Sequence, residues 1–153
     1  MDSKIINETF FVKDISAKDT YAVRHPVLRA GKPMESCVFS NDDLETTFHY
    51  GLLKGSKLIG VASYFKNGNA SFSEVKQYQL RGMAILENFQ GQKLGDLLLK
   101  ETEQMMALKS VARIWCNARV SAAGFYTKNG YSIIGTAFEI PEVGMHYVMT
   151  KVV

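Results

Sequence analysis

The sequence predicts an α/β fold in one domain, with a mixed central sheet of about six to seven strands and about four flanking helices. Two observations carry this prediction. Apolar runs with strand character alternate with segments of helical spacing, and strong turn signals such as Asn67-Gly68-Asn69 separate them. No Pro-, Gly- or Ser-rich linker interrupts the pattern, so residues 1–153 are expected to form a single domain.

The first elements are a strand and a helix. Residues 10–13 form a short β-prone run, and residues 17–25 have helical character. Pro26 is expected to end or kink this helix, because proline lacks the N–H that the next turn needs. Residues 30–43 contain Gly, Pro, Asn and Asp and are expected to form a loop or an irregular helix.

Three strands are predicted next. Residues 46–53 and 57–65 flank the turn-like Lys54-Gly55-Ser56, an arrangement that favours a hairpin. Residues 78–86 are rich in apolar side chains, which indicates a strand covered on both faces.

The second half predicts the order helix, strand, helix and two strands. A helix is expected over residues 92–108, a buried strand at 114–116 and a short helix at 121–128. Residues 131–138 and 145–151 are expected to close the sheet. In the long helix, the helical spacing predicts one buried stripe, formed by Leu94, Leu98, Met105 and Leu108.

Composition excludes several classes of protein. The chain has 153 residues, of which 46% are apolar and 22% charged, a balance typical of a folded domain. The net charge is only +3, with acids and bases interleaved, which argues against nucleic acid or an anionic membrane as a partner. No apolar run suggests a signal peptide or a membrane span.

The cysteines and histidines do not have the sequence spacing that is typical of metal ligands. Cys37 and Cys116 lie far apart, which favours a reduced, cytoplasmic chain. His25, His49 and His146 form no paired spacing with them, so no metal site is expected. Serine-hydrolase and Walker motifs are also absent from the sequence.

The segment at residues 80–95 carries the clearest chemical signal. A buried strand runs into a Gly-containing loop, which opens an amphipathic helix. Free N–H groups at a helix start bind phosphate without basic side chains. Gly91 and Gly95 would let a ligand approach the backbone closely. Taken alone, the segment is equally compatible with an ordinary connection between a strand and a helix.

A family resemblance favours the phosphate site. Gln90, Gly91, Leu94 and Gly95 resemble the cofactor loop of the GNAT superfamily of N-acetyltransferases, Arg/Gln-x-x-Gly-x-Gly/Ala. Lys93 stands where that family usually has its inner glycine. Residues 117–131 resemble a second stretch of the family, Asn-x-x-(x)-Ala-x-x-Phe-Tyr-x-x-x-Gly-Phe, with tyrosine as the final residue. The two stretches occur in the family's order.

The resemblance implies an acyl-CoA site between two splayed parallel strands, at residues 78–86 and 113–117. Backbone groups of the first strand would hold the pantetheine arm, one N–H would polarise the thioester carbonyl, and loop amides would bind the pyrophosphate. The implied cofactor-binding residues are Met83, Ala84, Ile85, Gln90, Gly91, Gln92, Lys93, Leu94, Gly95 and Asn117.

The resemblance also assigns a general acid. Tyr126 matches the family's tyrosine that protonates the departing thiolate, although a tyrosine packed on a helix face would look the same in sequence.

The general base is less well defined, because Gln79 and Arg81 occupy the region where many members have a glutamate. His146, on the last strand, is a candidate base, and a structural histidine is an alternative of at least equal weight. His49 is a weaker candidate, and a water chain would need no dedicated residue. Arg24 would either hold an anionic acceptor or be a solvated helix charge.

The predicted function is direct transfer of an acetyl or similar short acyl group from acyl-CoA to a primary amine in a ternary complex. Acetyl-CoA is the expected co-substrate, without a metal, and the acceptor is a small-molecule or peptide amine. The sequence is also compatible with a homodimer. The alternative is a binding module with the same fold that senses acyl-CoA or docks a partner without turnover.

Overall fold

One mixed sheet organises the molecule, with the strands in the order β1-β2-β3-β4-β5-β6-β8-β7. The computed structural model describes residues 3–5, as backbone only, and residues 9–153. Within these residues the strands are β1 Ser3–Ile5, β2 Phe10–Ile15, β3 Phe48–Lys54, β4 Lys57–Lys66, β5 Gln77–Ile85, β6 Arg113–Arg119, β7 Ser132–Ile140 and β8 Gly144–Val152. The α-helices are α1 Tyr21–Leu28, α2 Leu94–Leu108 and α3 Ala123–Lys128. Four single 3₁₀ turns lie at Lys18–Thr20, Met34–Cys37, Glu87–Phe89 and Val120–Ala122.

The predicted α/β class and element order are confirmed. Seven longer strands and the three-residue β1 form the sheet, and the described residues contain three α-helices in place of about four. Residues 30–43 form loops around one 3₁₀ turn, as expected. Helix α1 does not end at Pro26 but continues to Leu28. The Arg29 N–H closes its last turn by donating to the Arg24 and His25 carbonyls.

A bulge distorts β5 at its centre. Val61 of β4 pairs with Ala84 and Ser63 pairs with Arg81, so Ala62 faces both Gly82 and Met83. Gly82 has a φ of 66°, a conformation that glycine adopts without steric cost. The bulge turns the second half of β5 out of the regular ladder.

Helix α2 covers one face of the sheet and forms the main core with it. Leu98, Leu99 and Met106 are fully buried, and the Tyr64 hydroxyl is 2.7 Å from the Thr102 hydroxyl. The predicted stripe is wrong at Leu108, whose side chain is 88% exposed. The helix ends there, and the chain turns to bury Val111 in its place.

Candidate active site

Two clefts open where β5 and β6 stop pairing. These parallel strands share three pairs, and the last joins Gln79 to Trp115. The helix-side cleft, about 570 Å³, lies between the end of β5, the loop at residues 89–93 and helices α2 and α3. The strand-end cleft, about 860 Å³, lies between β5, the end of β6 and His146 of β8. The predicted splay of the central parallel strands is therefore confirmed, and Met83 and Tyr126 line both clefts.

The loop before α2 offers a row of unpaired backbone donors. In the part of the chain that the structure describes, the N–H groups of residues 91–96 donate to no protein acceptor. The first intrahelical bond runs from the Leu97 N–H to the Lys93 carbonyl, 3.2 Å. Free donors at the positive end of a 15-residue helix form an anion site.

Lys93 adopts a left-handed backbone conformation that glycine favours. Its φ is 62° and its ψ is 21°, in the left-handed region, which costs a non-glycine residue about 1 kcal/mol. The loop therefore keeps its turn despite the lysine, and Lys93 lines the helix-side cleft. The ammonium group adds a positive charge beside the free N–H groups.

Gly95 lines the helix-side cleft, as predicted, and also has a packing role. A Cβ at this position would lie 3.2 Å from Cε1 of Phe125, so the glycine lets α3 pack against the first turn of α2. Gly91 has no neighbour within 4 Å of its Cβ position and has a φ of 79°. Of the two glycines, Gly91 is the one with open space above the backbone.

Asp96, in the first turn of α2, accepts hydrogen bonds from the C-terminal end of α3. Asn129 Nδ2 donates to Asp96 Oδ1, 2.8 Å, and Lys128 Nζ donates to Oδ2, 3.0 Å. The hydrogen bond from Asn129, helped by Lys128, lowers the pKa of Asp96, which therefore stays ionised. An ionised carboxylate in the first helical turn also complements the helix dipole.

Tyr126 lies at the junction of the two clefts. Its ring contacts Phe125 and Tyr131 edge-on, with centroid separations of 5.0 and 5.4 Å. Burial, with a smaller contribution from Cys116, raises the pKa of Tyr126 above its usual value. The phenol therefore keeps its proton across the physiological pH range.

His146 lines the strand-end cleft together with Asn117 and Tyr126. It is 4% exposed, and its Nδ1–H donates to the Gly144 carbonyl, 2.7 Å. In the neutral ring this bond leaves Nε2 as the proton acceptor. The Phe138 ring lies 6.1 Å away, centroid to centroid, and restricts the imidazole orientation.

The predicted cofactor residues divide between the two clefts. Asn117 faces the strand-end cleft, and Gln92 lines neither cleft, although its N–H belongs to the unpaired row. The others line the helix-side cleft: Met83, Ala84, Ile85, Gln90, Gly91, Lys93, Leu94 and Gly95. Gln90 also shapes the loop, because its side-chain amide donates to the Ile85 carbonyl, 2.8 Å.

Comparison with known proteins identifies the family. Residues 13–131 match the acetyltransferase (GNAT) family. The chain belongs to this family. It is also 41% identical over 140 residues to the Uncharacterized N-acetyltransferase YitI of Bacillus subtilis (strain 168), covering 92% of this chain and 94% of that protein.

Solved acetyltransferase structures share the fold of this GNAT chain. The ribosomal-protein-S18-alanine N-acetyltransferase from Escherichia coli has a TM-score of 0.72 at 16% identity, covering 94% of this chain and 93% of its own. An aminoglycoside 6'-N-acetyltransferase complexed with coenzyme A has a TM-score of 0.73 at 10% identity, covering 92% and 96%. A GNAT family acetyltransferase from Elizabethkingia anophelis with acetyl-CoA bound has a TM-score of 0.68 at 14% identity, covering 96% and 100%. At these identities the likeness concerns the fold alone.

The two weaker candidates of the sequence, Arg24 and His49, lie in a buried network of this GNAT domain and outside both clefts. Arg24 is fully buried and donates to both carboxylate oxygens of Asp42, at 2.7 and 3.0 Å. It is therefore neither an acceptor ligand nor a solvated charge. His49 Nε2–H donates to the Asp42 carbonyl, 2.8 Å, and its Nδ1 accepts from Ser63, 2.6 Å.

Some residues of the strand-end cleft were missed in the sequence. Arg29 follows α1, Phe39 lies in a loop, and Arg119 ends β6. No local motif marks them, because only the fold brings these separate segments together.

Among residues 3–5 and 9–153, no three His, Cys, Asp or Glu side chains form a group that could hold a metal ion. No helix in this part of the GNAT chain is long and apolar enough to cross a membrane.

Proposed function

We propose that this chain transfers an acetyl or similar short acyl group from acyl-CoA directly to a primary amine. The amine nitrogen attacks the thioester carbonyl, so that an N–C bond forms and the C–S bond breaks. One proton leaves the amine for a base, and one proton reaches the departing thiolate from an acid. The products are an amide and free CoA.

The observation that carries the proposal is the meeting of two clefts at Tyr126. One cleft presents a row of unpaired backbone N–H groups at a helix start. The other is lined by His146 and by the ends of two strands. A transferase that binds donor and acceptor together needs two sites that share one point of reaction.

The helix-side cleft suits acyl-CoA, which supplies the activated thioester. The N–H groups of residues 91–96, with the ammonium of Lys93, would bind the pyrophosphate. Backbone groups of Met83, Ala84 and Ile85 would hold the pantetheine arm, because the ladder with β6 ends at Gln79. One N–H near the bulge would polarise the thioester carbonyl, and Asn117 would contact the arm from the other side.

Two side chains would move the protons. Tyr126 holds its proton and lines both clefts, so it would act as the acid for the thiolate. His146 Nε2 would accept the proton of the amine, because Nδ1 is committed to the Gly144 carbonyl. Gln79 and Arg81, which replace the expected glutamate, line the same cleft and cannot act as a base.

Cys116 bears on whether transfer is direct. This residue lines the strand-end cleft, but it is buried, and burial raises the pKa of its thiol to about 12. A thiol that stays protonated is a poor nucleophile. This favours direct transfer in a ternary complex over an acetyl-cysteine intermediate.

The cellular compartment and the class of acceptor are also proposals. Cys37 and Cys116 are both free and buried, as expected of a chain in a reducing cytoplasm. With a net charge of +3 we expect neither nucleic acid nor membrane as a partner, but a small-molecule or peptide amine.

The test combines binding with turnover. Calorimetry with acetyl-CoA should show saturable binding at a single site. Free-thiol release from acetyl-CoA, scanned over amino acids, phosphorylated amines, aminoglycosides and peptides, should rise above the hydrolysis rate with at least one acceptor class. Binding without release across the whole panel would contradict the transferase and favour the acyl-CoA-binding module. Absence of binding by the folded protein would contradict both.

A further inference from the structure

The strand-end cleft has an unbalanced positive charge. Three arginines, Arg29, Arg81 and Arg119, line it together with His146. No aspartate or glutamate is found among the described residues that line the cleft. The arginines come from three separate segments: the residue after α1, the centre of β5 and the end of β6. Their convergence is therefore a property of the fold.

Arg81 is the most informative of the three. It is half-buried, and its guanidinium group forms no hydrogen bond or ion pair with any of the described residues. Its guanidinium lies over two rings instead, 4.9 Å from the Phe39 centroid and 5.2 Å from that of Phe65. Burial, and then the charge of Arg24, lower its pKa, while Asp42 offsets part of this effect. Arg81 is thus a partly desolvated cation without an anion.

The nearest buried carboxylate does not neutralise the cleft. Asp42 accepts two hydrogen bonds from Arg24, at 2.7 and 3.0 Å, and a third from the Phe39 N–H, 2.9 Å. These bonds occupy the carboxylate and hold Phe39 in place. The Arg24 guanidinium itself lies 3.8 Å from the Phe39 centroid. The positive charges of Arg29 and Arg81 consequently stay unpaired within the cleft.

Phe39 fixes the position of the arginines. Arg29 lies 5.2 Å from its centroid, and Gly82 packs so closely that a Cβ there would lie 2.7 Å from Phe39 Cε2. The Arg29 side chain is further held by hydrogen bonds to the Ser36 and Leu28 carbonyls, at 3.2 and 3.1 Å. Guanidinium groups held in this way are preorganised to bind an anion with little loss of entropy.

We propose that the acceptor amine carries an anionic group, a carboxylate or a phosphate, and that Arg81, aided by Arg29 and Arg119, binds it. This proposal rests on the proposed function. Guanidinium groups bind carboxylate and phosphate through paired hydrogen bonds. The same positive field favours loss of the amine proton, which the nucleophile must lose. A polycationic acceptor such as an aminoglycoside would be repelled.

Matched acceptors test the charge requirement. Amino acids are compared with their carboxamides, and phosphoethanolamine is compared with ethanolamine, by thiol release from acetyl-CoA. We expect kcat/KM to be at least about tenfold higher for one anionic member of these pairs, which is about 1.4 kcal/mol. The two pairs distinguish a carboxylate from a phosphate. Equal or better use of the neutral members would overturn the inference and leave the transferase standing.

Variants locate the effect. Arg81→Gln should lower kcat/KM for the anionic acceptor about tenfold and leave acetyl-CoA affinity within about twofold of wild type. Lys100→Gln removes one exposed charge from α2, outside both clefts, and should change neither value. If Arg81→Gln weakened acetyl-CoA binding as much as acceptor use, the arginines would serve the acyl donor and the inference would be wrong.

A measurement without turnover separates the two proposals. Calorimetry of the same acceptor pairs is performed on protein saturated with CoA. If only the anionic member binds, and Arg81→Gln loses this binding, the anion site is supported even when no thiol is released. In that case only the proposed transferase activity is contradicted. If neutral amines are acetylated and the anionic ones do not bind, the anion site is contradicted and the proposed transferase activity stands.

Discussion

The surroundings of Tyr126 explain why a buried phenol would suit the proposed reaction. Burial raises the pKa of Tyr126, which makes the phenol a weaker acid than in water. The same burial raises the pKa of the nearby Cys116 thiol to about 12. A CoA thiolate formed in these surroundings would be a correspondingly stronger base. Burial would therefore raise the pKa values of the phenol and of the CoA thiol together. The free energy of proton transfer between them would change little, because it depends on the difference between these pKa values.

Removal of the Tyr126 hydroxyl is the sharpest test of this role. Tyr126→Phe keeps the ring contacts with Phe125 and Tyr131, so folding and acetyl-CoA affinity should be retained. General acid catalysis contributes about 10²–10⁴-fold, and the single-turnover rate should fall within that range. The loss should be larger in kcat than in KM, because the proton is needed only as the thiolate leaves.

A neighbouring tyrosine supplies the control for this experiment. Tyr131 is buried, and neither cleft reaches it, so Tyr131→Phe should leave the chemical step unchanged. A single-turnover rate of Tyr126→Phe equal to that of wild type would exclude the phenol as the acid.

Sequence patterns define residue roles only where the role depends on neighbours along the chain. Tyr126 was predicted as a site residue from a local motif, and the structure places it at the junction of the clefts. Arg24 could not be assigned in this way. Its partners, Asp42 and Ser63, are distant in sequence, so no local pattern shows that it is buried and paired.

At the scale of elements, the connection between β5 and α2 is built to leave donors free. The 3₁₀ turn Glu87–Phe89 and the left-handed residues Gly91 and Lys93 redirect the chain without using the N–H groups of residues 91–96. Phe125, packed against Gly95, and Asp96, bound to α3, hold the first turn of α2 in place. Rigid support of this kind preorganises backbone donors for an anion.

A matched pair of substitutions at Gly91 tests the pyrophosphate site. Gly91→Asp adds a negative charge where a Cβ meets nothing within 4 Å, and Gly91→Asn adds a neutral side chain of the same shape. Both residues tolerate the left-handed backbone about equally, so the strain is shared. Calorimetry should show acetyl-CoA affinity at least about tenfold lower for Gly91→Asp than for Gly91→Asn. Equal affinities would place the pyrophosphate elsewhere.

The elements themselves were largely predictable, because hydrophobic periodicity and turn residues are local signals. Strands β3, β4 and β5 lie within two residues of their predicted bounds. The errors arose where a boundary depended on packing. Leu108 fits the helical stripe, but α2 ends there and the core is filled by Val111. The sequence also did not show that Gly95, besides lining the helix-side cleft, packs closely against Phe125 of another helix.

At the scale of the molecule, the sheet consists of two parts joined by three residue pairs. Strands β1–β5 form one part and β6, β8 and β7 the other, and the clefts open beyond the last shared pair. The arginines of the strand-end cleft come from both parts and from the segment after α1. Such a charge cluster is not visible in a sequence with a net charge of +3 and interleaved signs, because it exists only after folding.

A buried polar network holds α1, the loop at residue 42, β3 and β4 together. Arg24 donates to Asp42 and to the Ser63 hydroxyl, 3.0 Å, and Ser63 donates to His49 Nδ1, 2.6 Å. These hydrogen-bond directions describe the neutral form of His49, whose pKa is lowered by burial. Protonation of Nδ1 would remove the acceptor of the Ser63 hydroxyl proton and would place a second buried positive charge near Arg24.

This network predicts that the protein loses stability in mild acid. Burial lowers the pKa of His49 below 6.5, so between 6.5 and that lower pKa the unfolded chain binds more protons than the folded one. The free energy of unfolding should therefore fall as the pH drops below about 6.5, by up to about 1.4 kcal/mol per pH unit, and this loss should end below the folded pKa. Urea unfolding between pH 7 and 5 measures how the free energy of unfolding depends on pH. This dependence should become weaker in His49→Gln and should be unchanged in His25→Gln, the control at a half-buried histidine. If His49→Gln does not fold, titration of the wild-type His49 ring by NMR decides, since a midpoint at or above 6.5 would contradict the prediction.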